Sequence, residues 1–450
     1  MSCSAPWIGR CSAAGRSFGE TEAEFWREAR NLGRTARLRL GKAPGDGIWT
    51  EETVSVRKLA AYYFLFYLSI SVLQPYMSIF FSDKGFSYTE VGFILSLGAF
   101  VSVIAQPTMG MINDRMRNPR IVLMSTVLLA PLIGLGFSFS SLLAVVIALN
   151  VIFTWFQSSS APLADAIAVE IGSREGFSFG SVRLWGALSY ALGTFFTGFI
   201  YGKYGYDHIF IFFLAVSTLV FVLLFWFPNT KPAHQDTTFF EQAKEVVRNK
   251  PFLFFLGISM ITAISSATNF SFLPIYFKEM GFDKSLLGTA YAVAALIEVP
   301  MFWVATILCR KIGSFNVLSL SAAIYALKCF LLYALHDVYL TLGVQLLDGI
   351  SFAFAAGTAV EVVGRFASVR TKATFQTIYA AVTWGLGGIF GNAAGGVIAD
   401  GMGTPFLYVV LFGLSATASV LFVYMDRIQS RNKHAIIFPT KHDSLPGNGP

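Results

Sequence analysis

The sequence predicts an all-α membrane protein of twelve transmembrane helices, arranged as two pseudo-symmetric six-helix bundles. Three observations carry this expectation. Of 450 residues, 55% are hydrophobic and only 13% are charged, where soluble domains carry roughly 25% charge. From Leu59 onward, apolar segments alternate with short polar loops, and their recurring length of about 20 residues is what a bilayer core requires. Finally, the second half of the chain repeats features of the first at a near-constant spacing.

The segments fall at 59–81, 89–110, 120–139, 141–168, 180–202, 207–227, 251–276, 286–308, 315–335, 338–363, 375–398 and 404–425. Those at 141–168 and 338–363 are long enough to tilt or to continue beyond the membrane as helix. Residues 228–250 form the longest internal connection and divide the segments six and six. They read as a central cytoplasmic linker holding a short helix in FFEQAKEVVRNK. The expected organisation is therefore a polar head (1–56), an N-terminal bundle (57–227), the linker (228–250), a C-terminal bundle (251–426) and a polar tail (427–450). The head has no apolar core of the kind a secretory signal needs; it reads as disordered sequence or as sequence upstream of the true start.

The repeat is visible in glycines. Gly85-Phe86 and Val91-Gly92 match Gly281-Phe282 and Leu287-Gly288 at an offset of 196. Trp185-Gly186 matches Trp384-Gly385 at 199, and Gly198 with Gly205 matches Gly396 with Gly403 at 198. Parallel repeats about an axis along the membrane normal imply two halves that rock around a site near the midplane.

The formal net charge is +7, yet nucleic acid is not the expected partner. Much of the excess lies in the head and in one alternating set of loops, which includes Arg115, Arg117, Arg120, Arg174, Arg310, Lys311, Arg365 and Arg370. The opposite set holds Lys84, Lys203, Lys278 and Lys284. This asymmetry places the first set and both termini in the cytoplasm. Cys3, Cys11, Cys309 and Cys329 form no C-x-x-C and have no histidine cluster beside them, so they read as unpaired and inert. No metal and no cofactor is expected, and no metalloprotease helix, P-loop or nucleophile elbow appears.

Ionisable residues inside apolar segments are costly, about 2.5–3.5 kcal/mol each on the mildest scale, and persist where they face a protein interior or a cavity. Asp165 and Arg183 lie in adjacent segments, eighteen positions apart. Pro162 is expected to break the helix ahead of Asp165, with Ser158, Ser159 and Ser160 making the same wall polar. Gly180, Gly186 and Gly193 suit close packing of the next helix. In the second half, Glu298, Lys328 and Asp348 sit in the middle of three successive segments. Lys328 and Asp348 can neutralise each other. Glu298 has no obvious partner, so burial favours its protonated form and suits it to carrying a proton. Glu361 and Arg365 have the spacing of a solvated helical pair.

The stretch Gly110-Met-Ile-Asn-Asp114-Arg115-Met-Arg117 resembles the cytoplasmic G-x-x-x-D-R-x-G-R/K signature of the major facilitator superfamily, with Arg117 where the second glycine is usual. PLADAIA followed by FGSVRLWGALSYALG is similar to the phenylpropionate permease family and the lactose permease group. The resemblance implies the major facilitator fold over residues 57–426 and a gating role for Asp114 and Arg115. It implies solute binding by Asp165 and Arg183, with Lys328 in the place of a ninth-span arginine, and it supports proton symport; the coupling residues, which it leaves open, are read as Glu298 and Asp348 from their place inside apolar segments. Asp348 stands where those families carry histidine.

The expected function is proton-coupled uptake of a small organic solute by alternating access. The solute is an aromatic or other monocarboxylate, a sugar or a nucleoside. The partners are that solute, protons and the lipid bilayer, and the protein is expected to work as a monomer in the plasma (inner) membrane of a bacterium. The alternative is a proton-driven drug or metabolite exporter of the same superfamily. The fifth segment, GALSYALGTFFTGF, lacks the proline common in exporters.

Overall fold

The computed structural model describes residues 56–116, 118–175, 179–227, 239–368 and 371–437. The expectations for the head through residue 55, for Arg117 and for the end of the tail lie outside these. Among the described residues every regular element is helical.

The chain enters through α1 (Val56–Leu73), passes a tight turn at Gln74–Tyr76 that contains Pro75, and continues as α2 (Met77–Asp83). There follow α3 (Tyr88–Arg115), α4 (Pro119–Phe139), α5 (Leu143–Glu175), α6 (Phe179–Tyr204) and α7 (Ile209–Leu224). The linker holds α8 (Phe239–Arg248), as its sequence predicts. The second half comprises α9 (Lys250–Glu279), α10 (Lys284–Ile312), α11 (Ser314–Ala334) and α12 (Val338–Phe366). Then come α13 (Lys372–Ala380), a wide π-helical turn at Ala381–Leu386, and α14 (Gly387–Ile437).

Loop chemistry sets the helix ends. Ser87 and Glu90 form a reciprocal capping box at α3, with Ser87 N–H donating to Glu90 Oε2 at 2.9 Å and Glu90 N–H to Ser87 Oγ at 3.2 Å. Asp337 caps α12 by accepting from the N–H groups of Tyr339 and Leu340, both at 2.9 Å. Lys84 donates to the carbonyls of Phe137, Ser138 and Ser140 at 2.5, 3.0 and 3.1 Å, closing the C-terminus of α4. Burial lowers its pKa below the usual lysine value, and the Asp207 carboxylate opposes that shift.

Nine helices among the described residues are long and apolar enough to cross a membrane, against the twelve segments expected. The difference has local causes. One span, Thr374–Gln429, contains a non-helical Gly403 at φ 80°. Phe255 of α9 packs against both Tyr379 (5.8 Å between ring centroids) and Phe422 (6.3 Å). Residues 379 and 422 therefore sit at one level, so the chain turns back at Gly403. The apolar helix α7 has only 16 residues, and α6 carries Arg183 among many small and polar residues. At the chain's end, α14 runs to Ile437, past the expected start of the tail at residue 427. Helix α5 is also continuous through Pro162, which does not break it.

The sequence repeat becomes a pair of crossed seams. A Cβ on Gly92 (α3) would stand 2.9 Å from Gly396 Cα (α14), and one on Gly198 (α6) would stand 2.8 Å from Gly288 Cα (α10). Gly288 is the repeat mate of Gly92, and Gly396 of Gly198, so the two contacts are one contact seen twice. The turn glycines match likewise: Gly85 and Gly281 have φ of 92° and 70°, Gly205 and Gly403 have 76° and 80°.

The hydrogen bonds and ion pairs described between the halves run from the end of the bundle near Gly85 down to Ser96, whose Oγ donates to Ile389 O at 2.8 Å. At the opposite end Asp114 and Arg115 are exposed, and nothing lies within 4 Å of a Cβ placed on Gly110.

Candidate functional site

Two clusters of ionisable side chains occupy the interior. The first is held by α1, α5 and α6. Tyr63 Oη donates to Asp165 Oδ1 at 2.6 Å. Arg183 lies over the ring of Tyr67, with its guanidinium carbon 4.1 Å from the centroid. Tyr67 can approach because residue 186 is glycine: a Cβ there would come within 2.6 Å of the tyrosine ring. Among the described residues Asp165 and Arg183 form no direct ion pair. The structure thus brings both residues to one wall but routes each charge to a tyrosine.

The face of α6 fixes where Arg183 points. Trp185, Leu188, Leu192, Phe196 and Phe199 are exposed and form one stripe at helical spacing. Arg183 and Tyr190, two turns apart, lie on the opposite side. Arg183 is therefore exposed to the interior space between the halves rather than to the outer surface.

The second cluster spans α10, α11 and α12. Lys328 Nζ meets Asp348 Oδ1 at 2.6 Å; the lysine is 0% exposed and the aspartate side chain 25%. The lysine also lies 5.1 Å from the Tyr325 ring centroid. Gly349 packs against the Ala294 backbone and Ile297, which brings the next residue, Glu298, beside Asp348. The Glu298 and Asp348 carboxylates lie within electrostatic reach of each other, and Tyr190 of α6 feels both. Tyr190 thus lies near the second cluster, on the same side of α6 as Arg183.

Other expected residues take plainer positions. Ser159 and Ser160 are buried and donate to carbonyls of their own helix, Trp155 O at 3.1 Å and Phe156 O at 3.2 Å. A helical serine with no better acceptor bonds back to the preceding turn; Ser160 also lines a small cavity with Ser69, Thr126, Gln157 and Ser217, and Ser158 Oγ is buried with no hydrogen-bond partner among the described residues. Glu361 and Arg365 form the exposed helical pair at 2.5 Å. Among the described residues no group of histidine, cysteine and carboxylate side chains could hold a metal ion.

Sequence reasoning missed the contacts near Gly85, where Asp83 and Asp400 read as ordinary loop residues. Asp83 meets Lys278 at 2.8 Å and Lys284 at 3.5 Å across the halves. Asp400 accepts from Thr89 Oγ1 at 2.8 Å, and Glu279 accepts from the Thr404 hydroxyl at 2.5 Å. The available signal was the repeat itself, which sets Asp83 and Glu279 at the same offset of 196 as the glycines.

This fold, with paired halves around interior charges, defines a multi-pass membrane transporter. The chain belongs to the MFS_1 like family, whose model matches residues 56–410. It is 26% identical to the uncharacterized transporter YwbF of Bacillus subtilis, covering 85% of this chain and 96% of that one. It is 27% identical to the maltose permease of Geobacillus stearothermophilus, covering 75% and 86%. A solved structure of a variant of the nucleoside transporter NupG superposes with a TM-score of 0.75 at 15% identity, over 82% of this chain and 99% of that one. The protein is a secondary transporter of small solutes and not an enzyme.

Proposed function

We propose that the chain imports a small organic solute together with protons. The observation that carries this reading is the placement of Glu298 beside the buried Lys328–Asp348 pair. The lysine is committed to one carboxylate, which leaves the second as the group that gains and loses a proton. A carboxylate in a low-dielectric interior is poorly tolerated as an ion, so its charge state changes readily with access to water. Solute binds against Asp165 and Arg183 on the first wall.

Transport proceeds by rocking of residues 57–227 against 251–426. Lys and Arg asymmetry supports a cytoplasmic position for the Asp114 end and both termini, and the membrane of this reading is a bacterial inner membrane. On that orientation the conformation is sealed outside and open inside. Asp114 and Arg115 then serve as the inner gate, released in this state and engaged when the inner end closes. The protein works as a monomer.

The test is proton movement in a weakly buffered suspension of energy-depleted cells expressing the full chain. Phenylpropionate, maltose and uridine are added in turn. Alkalinisation with one of them, abolished by Glu298→Gln and by Arg183→Ala, is the expected result. Absence of any pH change, with raised tolerance of expressing cells to toxic compounds, would replace import by export.

A further inference from the structure

The unexpected feature of the first wall is that two opposite charges within a few turns of each other do not pair. In an apolar surrounding, direct pairing is the ordinary way to lower the cost of both. Here a tyrosine stands at each charge. Tyr63 is fully buried and gives its hydroxyl to Asp165. Tyr67, one helical turn further along α1, lies under the guanidinium of Arg183. The two rings are themselves stacked, 6.0 Å apart at 19°, so they form one unit. Gly186 leaves the space that this unit fills.

We propose that Tyr63 and Tyr67 are positioning residues that hold Asp165 and Arg183 apart, leaving the edge of the guanidinium to receive a carboxylate headgroup of the solute. This rests on the transporter reading and names its substrate class. A guanidinium stacked on a ring has one face covered, while its donors all point outward in its own plane. That edge matches a carboxylate with two parallel hydrogen bonds. Lys328 cannot compete for the headgroup, because its ammonium is withdrawn from solvent and bound to Asp348. One Asp165 oxygen is occupied by Tyr63, which weakens its value as an acceptor for the hydroxyls of a neutral polyol.

The experiment uses the purified full-length protein in proteoliposomes and in detergent. Uptake and equilibrium binding are measured for 3-phenylpropionate, benzoate and pyruvate, for the corresponding amides, and for maltose and uridine. The expected result is that a carboxylate is bound and carried while its amide is not. Tyr67→Leu should raise KM for that carboxylate roughly two- to five-fold, from loss of an exposed cation–π contact, with maximal velocity within about twofold. Tyr67→Phe, which keeps the ring, should restore the KM. Tyr63→Phe should weaken carboxylate binding by freeing Asp165 to reach Arg183, raising KM with little change in maximal velocity. A merely structural role for the tyrosine would lower the amount of active protein, and so the maximal velocity, instead. An unchanged KM in Tyr67→Leu would overturn the positioning role. Transport of maltose or uridine alone would overturn the headgroup assignment while leaving the transporter reading intact. Failure of the wild-type protein to move any of these solutes would overturn both.

Discussion

The Lys328 side chain has no exposure to solvent, and its one ionic partner among the described residues is Asp348. Removing one member of such a pair leaves the other buried and uncompensated, at about 3–5 kcal/mol, whereas replacing both by neutral groups is often close to neutral. Lys328→Met should therefore lower the thermal midpoint of the detergent-solubilised protein markedly. The double variant Lys328→Met/Asp348→Asn should recover most of that loss. Recovery of stability without recovery of transport would separate the pair's structural share from its functional one. This partnership was legible from the sequence, because an unpaired lysine and aspartate in adjacent apolar segments have little alternative. The tyrosines at Asp165 and Arg183 were not legible, since aromatic residues are abundant along the chain and only the rotation of α1 selects Tyr63 and Tyr67.

At the level of elements, helix α6 works through its small residues. Gly186 and Gly193 face α1, at Tyr67 and at Ser71 with Leu68. Gly198 and Gly202 face α10 at Ser285 and Gly288. One helix is thereby packed against its own half at one end and the opposite half at the other. The start of α10 depends on Asp283, whose Oδ1 accepts from Ser285 Oγ at 2.5 Å and Ser285 N–H at 2.8 Å. The Ser285 hydroxyl first, and its backbone N–H second, hold the Asp283 carboxyl below the ordinary carboxylate value. The folded value lies below the unfolded one, so the cap's contribution is complete above the unfolded pKa of about 3.9. It is lost as pH falls through the folded value. Asp283→Ala should cost about 1 kcal/mol at neutral pH. The difference from wild type should shrink as thermal unfolding is measured at progressively lower pH. A difference independent of pH would remove the carboxylate from the account.

Across the whole molecule, the end near Gly85 is closed by two kinds of contact whose magnitudes differ. The Asp83 pairs with Lys278 and Lys284 are partly exposed, with side chains 29%, 38% and 50% accessible. Pairs of this kind contribute about 0.2–1 kcal/mol and weaken with salt. The glycine seams are steric: a Cβ on Gly198 would stand 2.7 Å from Ser285 O and 2.8 Å from Gly288 Cα, both backbone atoms that cannot swing aside. Gly198→Leu should hold this end open, whereas Asp83→Asn should change its opening only a few-fold and by less at high salt. Labelling of a cysteine introduced at Thr194, which packs at the same seam, measures both. Equal effects of the two substitutions would mean that charge rather than packing seals the end.

The sequence by itself determined the membrane class, the helical elements, the repeat and the interior ionisable residues. Each of these follows from local quantities: hydropathy over one span, glycine at a turn, or the cost of a charge in lipid. The break assigned to Pro162 failed, and Ser159 and Ser160 turned back onto their own helix, for a common reason. Neighbouring helices and the chain's own backbone satisfy groups that look unsatisfied when one segment is considered alone. Only the tertiary structure decided that Asp165 and Arg183 meet tyrosines instead of each other, that Glu298 lies beside Asp348, and that Asp83 and Asp400 join the halves. Those choices depend on the rotation and depth of helices against one another. A difference of one residue in rotation turns a side chain by about 100°, and that information is held in no single segment.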